Sequence, residues 1–183
     1  MKSAQGFTLP ELLVVVAIIG IMLSIASDGW KKVIARQHAV AAINQVAEAA
    51  RLARHTALTR RQIITVCPSP DGVRCSSDWT QPLFVFASNS TVPDHENFIT
   101  IFPAITHGKM KWKGFGGTTR LQYQRNGLTL AQNGTFVYCP DDDDAKLARA
   151  LIINKSGRQR VAEDLDNDGI VDLRPGEPVR CPS

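Results

Sequence analysis

The stretch that decides the fold is Gly6-Phe7-Thr8-Leu9-Pro10-Glu11, which the apolar run LLVVVAIIGIMLSIA follows over residues 12–26. As a helix, the 20 residues from Phe7 to Ala26 would rise about 30 Å, enough to cross a bilayer core. Glu11 is the only charge in this segment. Because a carboxylate inside a membrane helix is costly, it indicates a function by default. The sequence therefore predicts a membrane helix with a functional acid near its start.

Two alternatives compete with this interpretation. In the first, the segment is a cleaved secretory signal, with Lys2 as its basic region and residues 12–26 as its apolar region. The sequence after the apolar run, Ala26-Ser-Asp-Gly, is a poor cleavage site, and an acid at the head of the apolar region is unusual. In the second, the segment is a plain anchor, which leaves Glu11 unexplained.

The rest of the 183-residue chain is long enough for one soluble domain. A net charge of +4 and a pI near 9.0 permit an anionic partner without requiring one. Four cysteines, beyond a membrane segment, suggest two disulfides in an oxidising compartment. Motifs of nucleotide-binding loops, serine hydrolases and zinc proteases are absent from the sequence. We therefore expect no enzyme activity, no cofactor and no metal.

The helix is predicted to continue from Phe7 to about Thr59, because residues 30–61 contain neither Gly nor Pro. Its apolar positions include Val33, Val40, Ile43, Ala47, Ala50 and Ala57. This mostly alanine stripe is flat enough to lie close against a β-sheet. The second half of the helix should therefore form the spine of the soluble domain.

From residue 62 onward the pattern is typical of strands. Apolar or alternating runs predict strands at 63–67, 83–87, 98–102, 109–113, 121–124 and 135–139, and a hairpin over 148–162 with its turn at 154–157. The tail from residue 163 is expected to be loop. The predicted fold class is α+β, with a long N-terminal helix, transmembrane and then amphipathic, packed on antiparallel sheet.

The cysteine spacing favours one disulfide pairing. Cys67 and Cys75 flank a turn-rich loop of 7 residues that would bring them together. Cys139 and Cys181 would then pair and attach the tail to the sheet. Three pairings are possible in principle. A zinc site is disfavoured, because there is no Cys-x-x-Cys and no His near either pair.

Two groups of cations could meet an anionic partner. Lys155 lies in the predicted hairpin turn, and Arg158 and Arg160 share one face of the strand that follows, so all three could contact DNA phosphates. A solvated hairpin is the simpler interpretation of this group. Lys109, Lys111 and Lys113 share one face of another strand, where edge protection is the favoured interpretation over a nucleic-acid groove.

The acidic segment Asp164-Leu-Asp166-Asn-Asp168-Gly169 has the spacing of a calcium loop, with Asp172 at the ninth position. The twelfth position is Pro175, where such loops place a bidentate Glu. An acidic turn is therefore favoured, and calcium is the alternative. The run at 141–144, four aspartates, is interpreted as a solvated loop.

The segment Gly6-Phe7-Thr8-Leu9-Pro10-Glu11, with the apolar run, resembles the class III signal of type IV pilins and pseudopilins. The resemblance implies that a prepilin peptidase cuts between Gly6 and Phe7 and methylates the new amine of Phe7. It also implies that Glu11 meets the terminal amine of a neighbouring pilin during assembly. Residues 1–6 would be the leader, 7–27 the transmembrane half of the helix, and 28–183 the periplasmic or extracellular globular domain.

The remaining motifs resemble the GspH/FimT/FimU branch of minor pilins. They are Cys-Pro-Ser-x-Asp-Gly with a following Cys and Asp-Trp at 67–79, Ala-Arg-Ala-Leu-Ile-Ile, Ser-Gly-Arg-Gln-Arg, Asp-x-Asp-Asn-Asp-Gly-Ile, and a near-terminal Cys. The resemblance implies a minor pilin that helps to initiate pilus assembly at the inner membrane and sits near the tip. Some FimT-like members bind DNA for natural transformation through Gly-Arg-x-Arg, which here is Gly157 to Arg160.

The partners that this implies are other major and minor pilins, contacted through the N-terminal helix, the prepilin peptidase, the inner membrane and double-stranded DNA. The chain would be a single-pass inner-membrane protein before assembly and part of an extracellular pilus or periplasmic pseudopilus afterwards. The alternative function is that of a GspH-like minor pseudopilin of type II secretion. The four cysteines and the Gly-Arg-x-Arg segment favour the pilus branch.

Overall fold

A computed structural model describes residues 8–88, 97–129 and 131–181, without the side chains of 23–29. One long helix, α1 (Leu9–Arg60), precedes all of the strands. The strands are β1 (Ile64–Pro68), β2 (Leu83–Ala87), β3 (Phe98–Phe102), β4 (Lys109–Gly114), β5 (Leu121–Tyr123), β6 (Gly134–Cys139), β7 (Arg149–Ile153), β8 (Gln159–Val161), β9 (Asp172–Arg174) and β10 (Glu177–Pro178), with a short 3-10 turn at Phe115–Gly117. The predicted α+β class is confirmed.

The chain divides into two compact units, Met1–Arg36 and Gln37–Ser183. In the first unit the described residues form the first part of α1, and their apolar side chains are exposed, as for Leu12 (61%) and Val16 (59%). In the second unit α1 ends at Arg60, and Arg61 follows in the left-handed conformation (φ 55°), which stops a helix.

The second unit contains two four-stranded antiparallel sheets. The first has the order β3-β2-β1-β5, with Ile64 of β1 paired to both Ala87 and Tyr123. The second has the order β4-β6-β7-β8, with Phe136 opposite Leu151. Both sheets place apolar residues in the same core as the helix.

Small residues let the helix pack closely on this core. The buried face consists of Ala39, Ala42, Ile43, Val46, Ala47, Ala49, Ala50, Ala53 and Ala57, each at most 6% exposed. The predicted stripe was correct from Ile43 onward but wrong at Val33 (53%) and Val40 (40%), which are exposed. Ala39, the residue before Val40, is the one that packs, because it lies three and four residues before Ala42 and Ile43.

The tail was wrongly expected to be loop. Its strands β9 and β10 form a two-stranded hairpin. Val171 and Val179 of the tail are buried in a second cluster with Val137 and Ala150 of the second sheet. Phe136 and Leu151, the neighbours of those sheet residues, belong to the first core instead. Since side chains alternate along a strand, the second sheet is covered by α1 on one face and by the tail on the other.

Candidate functional site

Glu11 caps the start of α1 in this chain. Its Oε2 accepts hydrogen bonds from the Thr8 N–H (2.9 Å) and from the Thr8 hydroxyl (2.8 Å). Leu12 N–H donates to Thr8 O (3.2 Å), so Thr8 is the cap residue and Glu11 occupies the third helical position. This is half of a capping box, and the Thr-x-x-Glu spacing of residues 8–11 is its sequence signature. Gly6 and Phe7 lie outside the described residues.

The apolar run that follows Glu11 is a helix with an exposed surface. Leu13, Val14, Ile18 and Ile19 are each between 46% and 61% exposed. Among the residues whose structure is described, no helix meets the length and hydropathy expected of a membrane span. The division at residues 6 and 27 stays a prediction.

Both disulfides have the pairing that the sequence favoured. Cys67 is bonded to Cys75, and Cys139 is bonded to Cys181, with Cα–Cα distances of 5.5 and 5.7 Å. Inside the first loop, the Val73 N–H donates to Asp71 (2.9 Å), and this bond holds the pKa of the Asp71 carboxyl below its ordinary value. The second disulfide joins the end of β6 to the tail, and it therefore fixes the tail to the second sheet.

The predicted basic hairpin is present between β7 and β8. Asn154 organises its turn, because its Oδ1 accepts from the Ser156 hydroxyl (2.7 Å) and from the Arg158 N–H (3.0 Å). Gly157 is buried with a φ of 74°, and a Cβ at this position would collide with the carbonyl oxygen of Gly127. Only glycine fits a position that combines this backbone angle with such close contact.

Arg54 of α1 fixes the tip of this hairpin. Its Nε donates to Gly127 O (3.2 Å) and its Nη2 to Ser156 O (3.3 Å). Thr129 adds a hydrogen bond from its hydroxyl to Asn154 O (2.9 Å). Sequence reasoning missed Arg54, because residues 54 and 156 are far apart in the chain. The basic turn is therefore attached to the helix rather than free to move as a loop tip.

The three predicted cations lie on the outside of the hairpin, and their side chains make different contacts. Gln159 points to the helix, where its Nε2 donates to Ala47 O (3.1 Å), so its neighbours Arg158 and Arg160 lie on the opposite face, as expected. The Arg158 side chain is exposed and, within the described residues, makes no hydrogen bond or ion pair. Arg160 Nη2 donates to Leu173 O of β9 (3.0 Å), and Lys155 Nζ lies 5.6 Å from the ring centroid of Phe115.

The second group of cations lies on an edge strand, as the favoured interpretation expected. Lys109, Lys111 and Lys113 of β4 are exposed, and β4 is at the edge of its sheet. Lys109 Nζ lies 3.8 Å from Asp143 Oδ2, a weak surface pair. Trp112, between these lysines, contacts the core ring of Phe136 at a centroid distance of 4.3 Å.

The acidic segment folds into a loop that its own backbone closes. Carboxylate oxygens of Asp164, Asp166 and Asp172 lie within 4.8 Å of one another, and Asp172 is buried. Asp164 accepts N–H bonds from Asn167 (2.8 Å) and Gly169 (2.9 Å), and Asp172 accepts one from Leu165 (2.9 Å). These bonds support the acidic-turn interpretation, and calcium stays the alternative prediction.

A single long helix packed on antiparallel sheets, with a capped and apolar helix start, defines the class of type IV pilins and pseudopilins. Crystal structures of the type IV minor pilin FimU of Pseudomonas aeruginosa superpose with TM-scores of 0.56 and 0.51. Their sequence identities are 18% and 20%; they cover 69% and 67% of this chain, which in turn covers 89% and 90% of theirs. At this identity the likeness concerns the fold.

The chain belongs to the family described as type II transport protein GspH, which matches residues 42–157. The prokaryotic N-terminal methylation motif matches residues 1–27. A fimbrial protein of Pseudomonas aeruginosa is 35% identical over 71 residues, which are 39% of this chain and 46% of that protein. This chain thus spans about half the length of the curated relatives it matches. The chain is thus a member of the GspH family with an N-terminal methylation motif, and its fold is that of type IV minor pilins and pseudopilins.

Proposed function

We propose that this protein is a minor pilin of a type IV pilus that helps to initiate pilus assembly at the inner membrane and sits near the filament tip. The observation that carries the proposal is the combination of an N-terminal methylation motif over residues 1–27 with a GspH domain over residues 42–157. The first part provides a route into a filament, and the second part provides a folded domain for its surface.

Processing is the first step of the proposed function. A prepilin peptidase cuts between Gly6 and Phe7 and methylates the Phe7 amine, and residues 7–27 hold the chain as a single span in the inner membrane with its domain in the periplasm. Intact-mass measurement of the chain from membranes should show loss of residues 1–6 and gain of one methyl group. Gly6→Val should accumulate the uncut chain, whereas Gln5→Ala should be cut normally. An uncut wild-type chain in a strain with an active peptidase would contradict this step.

Assembly into the filament is the second step, and it depends on the Glu11 carboxylate. In the single chain, the only hydrogen bonds that Glu11 accepts from described residues come from Thr8. In a filament, the methylated Phe7 amine of a neighbouring subunit would neutralise the Glu11 carboxylate, which would otherwise be a costly charge among apolar helices. The same charge pairing would set the register between neighbouring pilins.

Capture of double-stranded DNA is the third proposed element, through Lys155, Arg158 and Arg160. The support is an attached, exposed turn whose cations face away from the helix. Phosphate contacts of this kind give binding that weakens steeply with salt.

A gel-shift titration at increasing salt tests DNA capture. The Arg158→Ala/Arg160→Ala variant should abolish the shift, and Arg158→Ala alone should lower the salt slope by about 1. Arg174→Ala is the matched control, because Arg174 is an exposed arginine of the nearby tail hairpin. Undiminished DNA binding by the double variant would refute the hairpin as the DNA site and would favour the lysines of β4 instead.

A GspH-like minor pseudopilin of type II secretion is the second candidate function. The specific observation in its favour is the family match, whose description is that of a type II transport protein. Deletion of the gene separates the two candidates. Loss of exoprotein export with normal twitching and DNA uptake would support the pseudopilin, and the reverse pattern would support the pilus.

A further inference from the structure

An apolar recess lies beside the basic hairpin. Its lining consists of Phe115, Leu128, Ala131, Lys155 and Ser156, and its volume is about 460 Å³. Phe115 is 59% exposed, although it is one of the larger apolar side chains of the domain. Lys155 is the only charged residue of this lining. A recess with an aromatic surface and one cation suits a flat, apolar group that carries a negative charge next to it.

The backbone holds both sides of this recess. Phe115 N–H donates to Asn133 O (2.8 Å), which continues the pairing of β4 with β6 to the aromatic residue. On the other side, Thr129 N–H donates to Lys155 O (3.1 Å). Gly116 and Gly117 follow Phe115 with φ angles of 69° and 72°, and no atom lies near where their Cβ atoms would be. The ring of Phe115 is thus presented from a fixed strand end next to an open turn.

Lys155 links the recess to the cations of the proposed DNA surface. Its Nζ lies 5.6 Å from the Phe115 centroid, and an exposed cation–π contact of this kind is weak enough to yield to a phosphate. Arg158 is three residues further along the chain, beyond the turn that Asn154 closes. An aromatic surface and adjacent backbone-binding cations are the two components of sites for single-stranded nucleic acid.

We propose that the recess binds an unpaired base of single-stranded DNA, stacked on Phe115, with Lys155 at the neighbouring phosphate. The inference rests on the proposed DNA capture and extends it from the duplex to single strands, whose unpaired bases the recess can hold. A duplex hides the faces of its bases, so it would use the cations but not the recess. Single strands should therefore bind more tightly than a duplex of the same sequence.

The test is fluorescence anisotropy with the full chain in non-ionic detergent, a labelled 20-nucleotide single strand and its duplex. Phe115→Ala should weaken single-strand binding by about 5- to 150-fold, the usual loss when a stacking aromatic is removed, and change duplex binding less than about 2-fold. Phe115→Trp keeps an aromatic ring at this position and should bind single strands about as tightly as the wild-type chain. Phe98→Ala is the matched control, since Phe98 is an exposed phenylalanine (41%) on β3 and outside the recess.

The outcomes separate this inference from the function on which it rests. Equal loss for both DNA forms, or no loss in Phe115→Ala, would overturn base stacking while leaving DNA capture in place. Absence of binding to both forms by the wild-type chain would overturn DNA capture and the inference with it. Because Phe115 is largely exposed, Phe115→Ala should keep the wild-type melting temperature, so that a loss of binding reports on the recess.

Discussion

Removal of the Cys139–Cys181 disulfide should destabilise the domain more than removal of Cys67–Cys75. The two pairs are matched in their surroundings, because each joins one buried cysteine to one half-buried cysteine. They differ in sequence separation, which is 42 residues for Cys139–Cys181 and 8 residues for Cys67–Cys75. A comparison of the two double alanine variants therefore tests loop length together with the attachment of the tail.

The expected magnitude follows from the chain entropy that a disulfide removes from the unfolded state. In that description, a loop of 42 residues contributes about 4 kcal/mol and a loop of 8 residues about 2.5 kcal/mol. Loss of the longer bridge also frees the tail, whose Val171 and Val179 cover one face of the second sheet. For a domain of this size, 4 kcal/mol corresponds to a decrease in melting temperature of about 8–16 °C.

Thermal unfolding followed by circular dichroism, without reductant, measures both variants. Cys139→Ala/Cys181→Ala should melt several degrees below Cys67→Ala/Cys75→Ala, and its tail amides should exchange with solvent faster. Equal melting temperatures would refute the loop-length argument. A larger loss in the 67–75 variant would show that the turn-rich loop, rather than the tail, maintains the fold.

Two further predictions concern the core. Burial raises the pKa of Tyr123, with nearby Arg54 partly opposing the shift, so the folded state keeps a proton that the unfolded state loses above about pH 10. The free energy of unfolding should therefore fall as pH rises beyond 10. Tyr123→Phe should make the urea midpoint less dependent on pH between pH 8 and 11. The same pH dependence in Tyr123→Phe and in the wild-type chain would contradict this. Ala50→Leu should lower the free energy of unfolding in urea by about 1–3 kcal/mol, because it overpacks the buried helix face. Val40→Leu, on the exposed side, should change this free energy little. Equal effects of the two substitutions would refute the assigned helix face.

Local sequence signals were sufficient to predict α1 and the strands β1 to β8. The helix ends at Arg60 and was predicted to end near Thr59, and β2 (Leu83–Ala87) and β3 (Phe98–Phe102) have the predicted bounds. Helical and alternating periodicity depend on neighbouring residues, so a single sequence carries them. The cysteine pairing was accessible for the same reason, because a short turn-rich loop brings its ends together whatever the rest of the fold does.

The tail could not be assigned in this way. Its strands are 3 and 2 residues long, too short for any periodicity, and they form only because the second sheet offers an apolar face to cover. The available signal was in the sheet, since the sequences FVYC and ALII have apolar residues on both faces of their strands. Such runs predict cover on two sides, and the tail was the part of the chain left to provide it.

The cations of the candidate site could be named from the sequence, but the contacts that arrange them could not. The cations of the hairpin were named from spacing, but contacts distant in sequence direct Arg160 to Leu173 and fix the turn through Arg54. Phe115 received no functional role from the sequence, because nothing in it indicates that this ring stays exposed beside Lys155.

Incorporation of the Glu11→Gln variant into filaments tests the central claim most directly. The amide side chain of this variant keeps an acceptor for the Thr8 N–H, so the helix cap survives, but the charge that would meet a neighbouring amine is lost. Immunoblots of sheared pili, normalised to the membrane-bound chain, should show Glu11→Gln at normal membrane level but depleted from filaments, as strongly as Glu11→Val. Thr8→Val, which loses a cap bond but keeps the charge, should still assemble. Normal incorporation of Glu11→Gln together with failure of Thr8→Val would contradict the account, because Glu11 would then act only as a helix cap.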